Sequence, residues 1–201
     1  MPITFNGNGT ITGIAAGGLP DGCVQLADLA TTGTASSSTF LRGDAAFAAA
    51  GGGKLLQVVT ADTSTQTSNS AYTPATTGLT ASITPSATSS KILVATSSNI
   101  NILGDGTSSS GRQIYLWLSR GGIHNTGTTL QAIRIGISSG GSYTTAPENN
   151  EQASFSYLDS PNTTSATSYH VSFGKYDNNC VMYAQKGGAY KSTIVLMEIE
   201  G

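Results

Sequence analysis

RQIYLWLSR, residues 112–120, is the stretch on which the fold turns. In a strand, successive side chains point to opposite faces, so Ile114, Leu116 and Leu118 share one side while Tyr115 and Trp117 share the other. Both faces are apolar. STIVLMEI, residues 192–199, repeats the arrangement, with Val195, Met197 and Ile199 on one face and Ile194 and Leu196 on the opposite one. A strand of this kind needs two covers. The facing sheet of a sandwich supplies the first. With no helix in the pattern, the second is either another subunit of a cyclic oligomer or a loop of the same chain, such as residues 61–78.

Working outward, short β-branched and aromatic runs recur from Lys54 onward between clusters of Gly, Asn, Asp, Ser and Pro. The runs predict strands at 55–60, 79–84, 91–102, 112–120, 130–137, 151–158, 167–175, 180–185 and 192–199, the pattern of an all-β sandwich or jelly roll. Residues 1–53 differ in texture. They carry four charged side chains, Asp21, Asp28, Arg42 and Asp44, and are dense in Gly, Ala, Ser and Thr. Their apolar residues form small clusters, including PITF at 2–5 with Ile3 and Phe5, ITGI at 11–14 with Ile11 and Ile14, and VQLADLA at 24–30. None can build a core alone. Clusters of this size bury themselves against a neighbour, and the segment 24–30 has room for about two helical turns. The run AAFAAAGGG at 45–53 reads as a joint. The expected organisation is an extended N-terminal arm, 1–53, and one sandwich domain, 54–201.

Composition narrows the partners. The 201 residues have 10% charged side chains against roughly 25% in an average soluble protein, a net charge of −2, and 54 Ser and Thr. With 38% hydrophobic residues the chain can afford a packed core. Nine dispersed Lys and Arg do not form the basic stripe that nucleic acid requires. No run approaches the ~18 apolar residues of a membrane span, and no basic segment leads into an apolar stretch at the N-terminus. The expectation is a chain made in a cytoplasm that reaches its place by assembly, without membrane insertion. Cys23 and Cys180 are too few for a disulfide framework and lack neighbouring metal ligands.

Catalytic chemistry is not legible. Serine is abundant, but no nucleophile elbow follows a strand and precedes a helix. Glu148, Glu151 and Asp159 form the densest acidic group and are expected to solubilise the ends of a strand. GGAYKST at 187–193 lacks the glycine before Lys191 and the following helix that a phosphate loop needs. His170, opposite Tyr169, Val171 and Phe173 in alternation, should face solvent or a subunit boundary. The chain reads as a non-enzyme without cofactor or metal.

Specific strings carry a resemblance. PITFNGNGTITGIAAGGLPDGCVQLADLA at 2–30 resembles the N-terminal segment of many bacteriophage tail-fibre and appendage proteins, and SSSTFLRGDAAFA at 36–48 resembles the S-T-T-F-L-R-G-D-G-x-W element that precedes their distal domain. Ala45 and Phe47 stand where that element has Gly and Trp, which suggests a tighter or more helical joint. SKILVATSSNI at 90–100, IYLWLSRGG at 114–122, ASFSYLDSPNTTSATSYHVSF at 153–173 and STIVLMEIEG at 192–201 resemble the jelly-roll head of the complement and tumour necrosis factor type.

The resemblance implies a homotrimer with its heads around a threefold axis, and Tyr115, Trp117, Ile194 and Leu196 are the expected interface. Arg42-Gly43-Asp44 becomes a turn in which Gly43 takes a positive φ and Arg42 and Asp44 pair across subunits. The implied function is a virion fibre. Its arm, through Ile3, Phe5, Ile11 and Ile14, binds a tail, baseplate or capsid protein, and its head presents loops to a host-surface glycan. The candidate loops are 104–111 with Asp105, 121–128 with His124 and Asn125, 138–149 with Tyr143, and 174–179 with Tyr176. The alternative is a capsid decoration or tail-adaptor protein that binds no receptor.

Overall fold

The computed structural model describes residues 4–5, 11–12, 32–36, 39–49, 53–104, 112–137, 148–176, 180–188 and 190–201. Two compact units divide the chain, Met1–Gly51 and Gly52–Gly201.

In the first unit, β1 (Thr4–Phe5) pairs antiparallel with β2 (Ile11–Thr12), and β3 (Thr39–Leu41) with β4 (Phe47–Ala49). The Arg-Gly-Asp tripeptide lies in the turn of the second hairpin. Arg42 N donates to Ala46 O at 2.9 Å, Ala45 N to Arg42 O at 3.0 Å, and Ala46 N to the Asp44 carboxylate at 3.2 Å. The expected joint is therefore a β-turn and strand, with no helix at 45–49. Its left-handed residue is Ala45, at φ 59°, not Gly43, which corrects the expectation. Arg42 and Asp44 form an ion pair of 3.5 Å within this chain. Thr32 docks alongside, donating from N to Ala45 O at 3.1 Å and accepting from Phe47 N at 2.7 Å. Gly33 is required there: its φ is 85°, and a Cβ would lie 2.4 Å from Phe47 O.

The second unit holds β5 (Leu55–Thr63), β6 (Thr67–Asn69), β7 (Ala75–Ile83), β8 (Lys91–Gly104), β9 (Arg112–Arg120), β10 (Thr128–Ile137), β11 (Glu148–Asp159), β12 (Thr167–Lys175), β13 (Cys180–Ala184) and β14 (Ser192–Ile199). Its pairing is nested. Among the eight long strands the first pairs with the last (β5–β14), the second with the seventh (β7–β12), the third with the sixth (β8–β11) and the fourth with the fifth (β9–β10). A long antiparallel ribbon rolled up in this way gives two four-stranded sheets, β5-β14-β8-β11 and β10-β9-β12-β7, which is a jelly roll. The short strands β13 and β6 extend the first sheet beside the far half of β8.

Alternation explains the core. Ile114, Leu116 and Leu118 of β9 and Tyr169, Val171 and Phe173 of β12 meet Ile92, Val94, Phe155, Ile194 and Leu196 from the other sheet, all of them buried. Two polar clusters close one end. Arg120 Nη1 donates to both Asp159 oxygens at 2.9 and 2.8 Å, and the Tyr169 hydroxyl donates to Asp159 Oδ2 at 2.7 Å. Burial, and then the adjacent carboxylate, keep that phenol protonated far above its ordinary range. Asp159 is thus a buried structural group, not a solubilising one. Glu198, wholly buried, accepts from Ser86 N and Oγ at 2.6 Å each and from Gln57 Nε2 at 2.6 Å. Burial raises its pKa, but these donors outweigh burial and hold it at about 2.

Candidate functional site

The outward faces of the two sheets carry the features that point beyond the fold. On β5-β14-β8-β11, strand register places Val58 opposite Met197, Met197 opposite Leu93, and Leu93 opposite Leu158. One row of four apolar side chains thus crosses all four strands. Val58 is 49% and Leu158 48% exposed, with Met197 and Leu93 half-buried between them. The next row, Thr60, Val195, Ala95 and Ser156, is smaller and still uncharged. Exposed Leu55 and Leu56 and half-buried Ile199 extend the apolar area toward the edge at β5. An apolar area of this form on an otherwise polar chain is the usual mark of an interface.

Farther along β8 the same face turns polar. Buried Asn101 donates from Nδ2 to Glu148 Oε1 at 2.7 Å and to Asn150 Oδ1 at 2.8 Å. Lys186 Nζ also reaches Glu148 Oε1, at 2.7 Å. The bonds from Lys186 and then Asn101 lower the Glu148 pKa. Glu148 is thereby committed to an ionised, structural role.

The outward face of the other sheet carries a run of rings. His124 stacks on Trp117 with centroids 4.3 Å apart and 10° between planes, and Trp117 stacks on Tyr115 at 5.4 Å and 26°. Tyr115 meets Tyr176 edge-on at 5.3 Å and 81°, and the Arg134 guanidinium lies 4.7 Å from the Tyr176 ring centre. Small neighbours make the run possible. Register partners of Trp117 are Ala132 and Ser172, and Gly174 is opposite Tyr115. A Cβ on Gly174 would stand 3.0 Å from the Trp117 ring and from Tyr72 O, so the indole lies against bare backbone. Loop hydrogen bonds hold the cover in place: Lys175 N to Ala71 O at 3.0 Å, Tyr176 N to Gln113 O at 3.0 Å and His124 N to Ser172 Oγ at 3.2 Å.

These contacts correct the expected interface. Trp117 is 8% exposed, covered by His124 and Tyr115 of its own chain. Ile194 and Leu196 have no exposed surface and fill the core between the sheets. The outward residues of β14 are Val195, Met197 and Ile199. Tyr115, His124 and Tyr176, expected in separate roles, lie in one continuous run. Asn125, exposed, adopts φ 77° in the turn after β9. His170 lies half-buried on the outer side with its ring nitrogens 3.2 Å from Thr80 Oγ1 and 2.9 Å from Ser168 Oγ, and burial lowers its pKa. Ile3, Ile14, Asp105, Tyr143 and the segment 24–30 lie outside the described residues, and Phe5 and Ile11 are described only as strand pairs.

A cleft of about 410 Å³ opens beside Arg120, Gly121, Thr128, Thr163 and Ser168. Among the described residues that line it, the charged one is Arg120, already bound to Asp159. No group of three or more His, Cys, Asp or Glu with metal-binding geometry occurs among the described residues. No helix among them is long and apolar enough to cross a membrane.

No family model and no curated protein matches the chain. Solved structures do show a likeness. A structure of the Gt strain of infectious bursal disease virus aligns at 15% identity and a TM-score of 0.28, covering 76% of this chain and 41% of that one. A VP2 subviral particle of the same virus aligns at 16% identity and a TM-score of 0.26, covering 76% and 39%. The chain spans about two-fifths of the length of these proteins. At such TM-scores the superposition bears no weight for function.

Proposed function

We propose that the chain is a non-enzymatic virion structural protein. On this reading its jelly-roll head assembles as a homotrimer, its N-terminal unit binds another virion protein, and the head presents its outer surface to a host cell. The observation that carries the proposal is the apolar row Val58–Met197–Leu93–Leu158 across the outward face of one sheet. An uncharged face of this kind is covered well by an identical face of low net charge. Threefold symmetry and bacteriophage origin rest on the resemblance of residues 2–30, 36–48 and the head strings to phage fibre proteins. Three heads on one axis would bind a surface by avidity, without a deep pocket in any of them.

Sedimentation of the purified chain tests the assembly, and a stable monomer at micromolar concentration would remove it. Adsorption of the purified protein to candidate host cells tests the adhesive role. Locating the chain in a virion reconstruction separates this reading from decoration: a head lying flat on the shell, with no surface turned to the host, would favour the structural alternative.

A further inference from the structure

We propose that Tyr115, Tyr176 and Arg134 form a binding corner for an anionic saccharide. The proposal rests on the adhesive reading above and names the chemistry of its ligand. Tyr115 and Tyr176 meet at 81°, so one ring offers a face where the other offers an edge. Tyr176 is 43% exposed, Tyr115 is half-buried, and Arg134 is exposed on the neighbouring strand as the register partner of Tyr115. The corner is rigid for stated reasons. Trp117 stacks on Tyr115 and is itself stacked on by His124, and the Tyr176 backbone is pinned to Gln113.

A sugar ring has an apolar face of C–H groups and a polar rim, and a tyrosine ring suits the first. The guanidinium suits a carboxylate or phosphate on the rim, which it grips with two parallel N–H bonds. Arg134 is placed for that task. It sits on the Tyr176 ring, and no carboxylate pairs with it among the described residues. Arg42, Arg120, Lys186 and Lys191, by contrast, are each paired with an Asp or Glu. In a chain with nine Lys and Arg, a cation left on an exposed aromatic surface is an uncommon local charge. A neutral saccharide would use the rings and leave the guanidinium idle.

Trp117, the single tryptophan, stacks directly on Tyr115 and makes its emission a reporter of the corner. The full chain would be titrated with a galacturonate tetramer, with its carboxyl-reduced neutral counterpart and with a glycerol-phosphate oligomer. Saturable binding of at least one anionic oligomer, about tenfold tighter than the neutral tetramer, is the expected result. Arg134→Gln should abolish that preference, and Tyr176→Ala should remove binding of all three oligomers. Near-UV circular dichroism would check that both exposed-site variants keep the native packing. The proposal is overturned if no anionic oligomer binds up to about 10 mM, if the neutral tetramer binds as tightly, or if Arg134→Gln keeps the preference. A head that adheres to cells equally well with both substitutions would overturn this corner and leave adhesion standing. A head that binds the anionic oligomer but adheres to no host cell would support the corner and remove the adhesive reading.

Discussion

Glu198 and Asp159 occupy one cross-strand row of the core, separated only by Ile92. Their neutralisation differs. Asp159 has the Arg120 guanidinium, whereas Glu198 is held by hydroxyl, amide and backbone N–H donors.

This arrangement gives the domain an acid-sensitive end. Glu198 titrates at about 2 in the folded chain against 4.5 as its ordinary value, so the unfolded state takes up the proton first as pH falls. Its contribution is complete above about 4.5 and is lost progressively toward pH 2. Glu198→Gln should cost about 2 kcal/mol at neutral pH and flatten the pH dependence in that window. Denaturant unfolding from pH 7 down to pH 2 measures both.

Trp117→Ala should act on folding and leave assembly intact. The indole is buried by its own chain, and its removal leaves a cavity between Gly174, Tyr115 and His124. A loss of about 3 kcal/mol is expected in chemical denaturation, with an unchanged sedimentation coefficient under native conditions.

Leu158→Glu should do the reverse. Leu158 is 48% exposed at the end of the apolar row, so a carboxylate there is solvated in a free head and buried in an assembled one. Sedimentation velocity should show dissociation into monomers, while the unfolding free energy of the monomeric head stays within about 0.5 kcal/mol of that of the parent measured below its assembly concentration. A variant that stays fully assembled would move the interface elsewhere.

Ala45→Gly should stabilise the hairpin of β3 and β4. Ala45 holds φ 59°, where a side chain costs about 1 kcal/mol that glycine does not. Hydrogen exchange of the Ala45 and Phe47 amides, bonded to Arg42 O and Thr32 O, should slow severalfold.

Period-two alternation located the head's strands because most of them bury at least one apolar face, and residues 112–120, 167–175 and 192–199 fall where it placed them. It missed β6, Thr-Ser-Asn, which has no apolar residue to betray it. Alternation also could not say which face of a two-faced strand is the core. The signals that could have decided were present. Glu198 shares its parity with Ile194 and Leu196, and a lone carboxylate among core residues marks a built polar site. Ser172 and Gly174 on β12, with Ala132 on β10, announce that something large lies flat over them, and the indole of Trp117 does. The corner of Tyr115, Tyr176 and Arg134 was not legible, because its members come from three segments brought together only by the nested pairing.

The backbone N–H of Glu200 donates to Lys54 O at 2.9 Å, so the head's polypeptide enters and leaves within one hydrogen bond of itself. Such a domain is a cassette. It can be spliced into a surface loop of an unrelated carrier with almost no gap to bridge, or reopened at another loop after Lys54 and Glu200 are joined by a short linker.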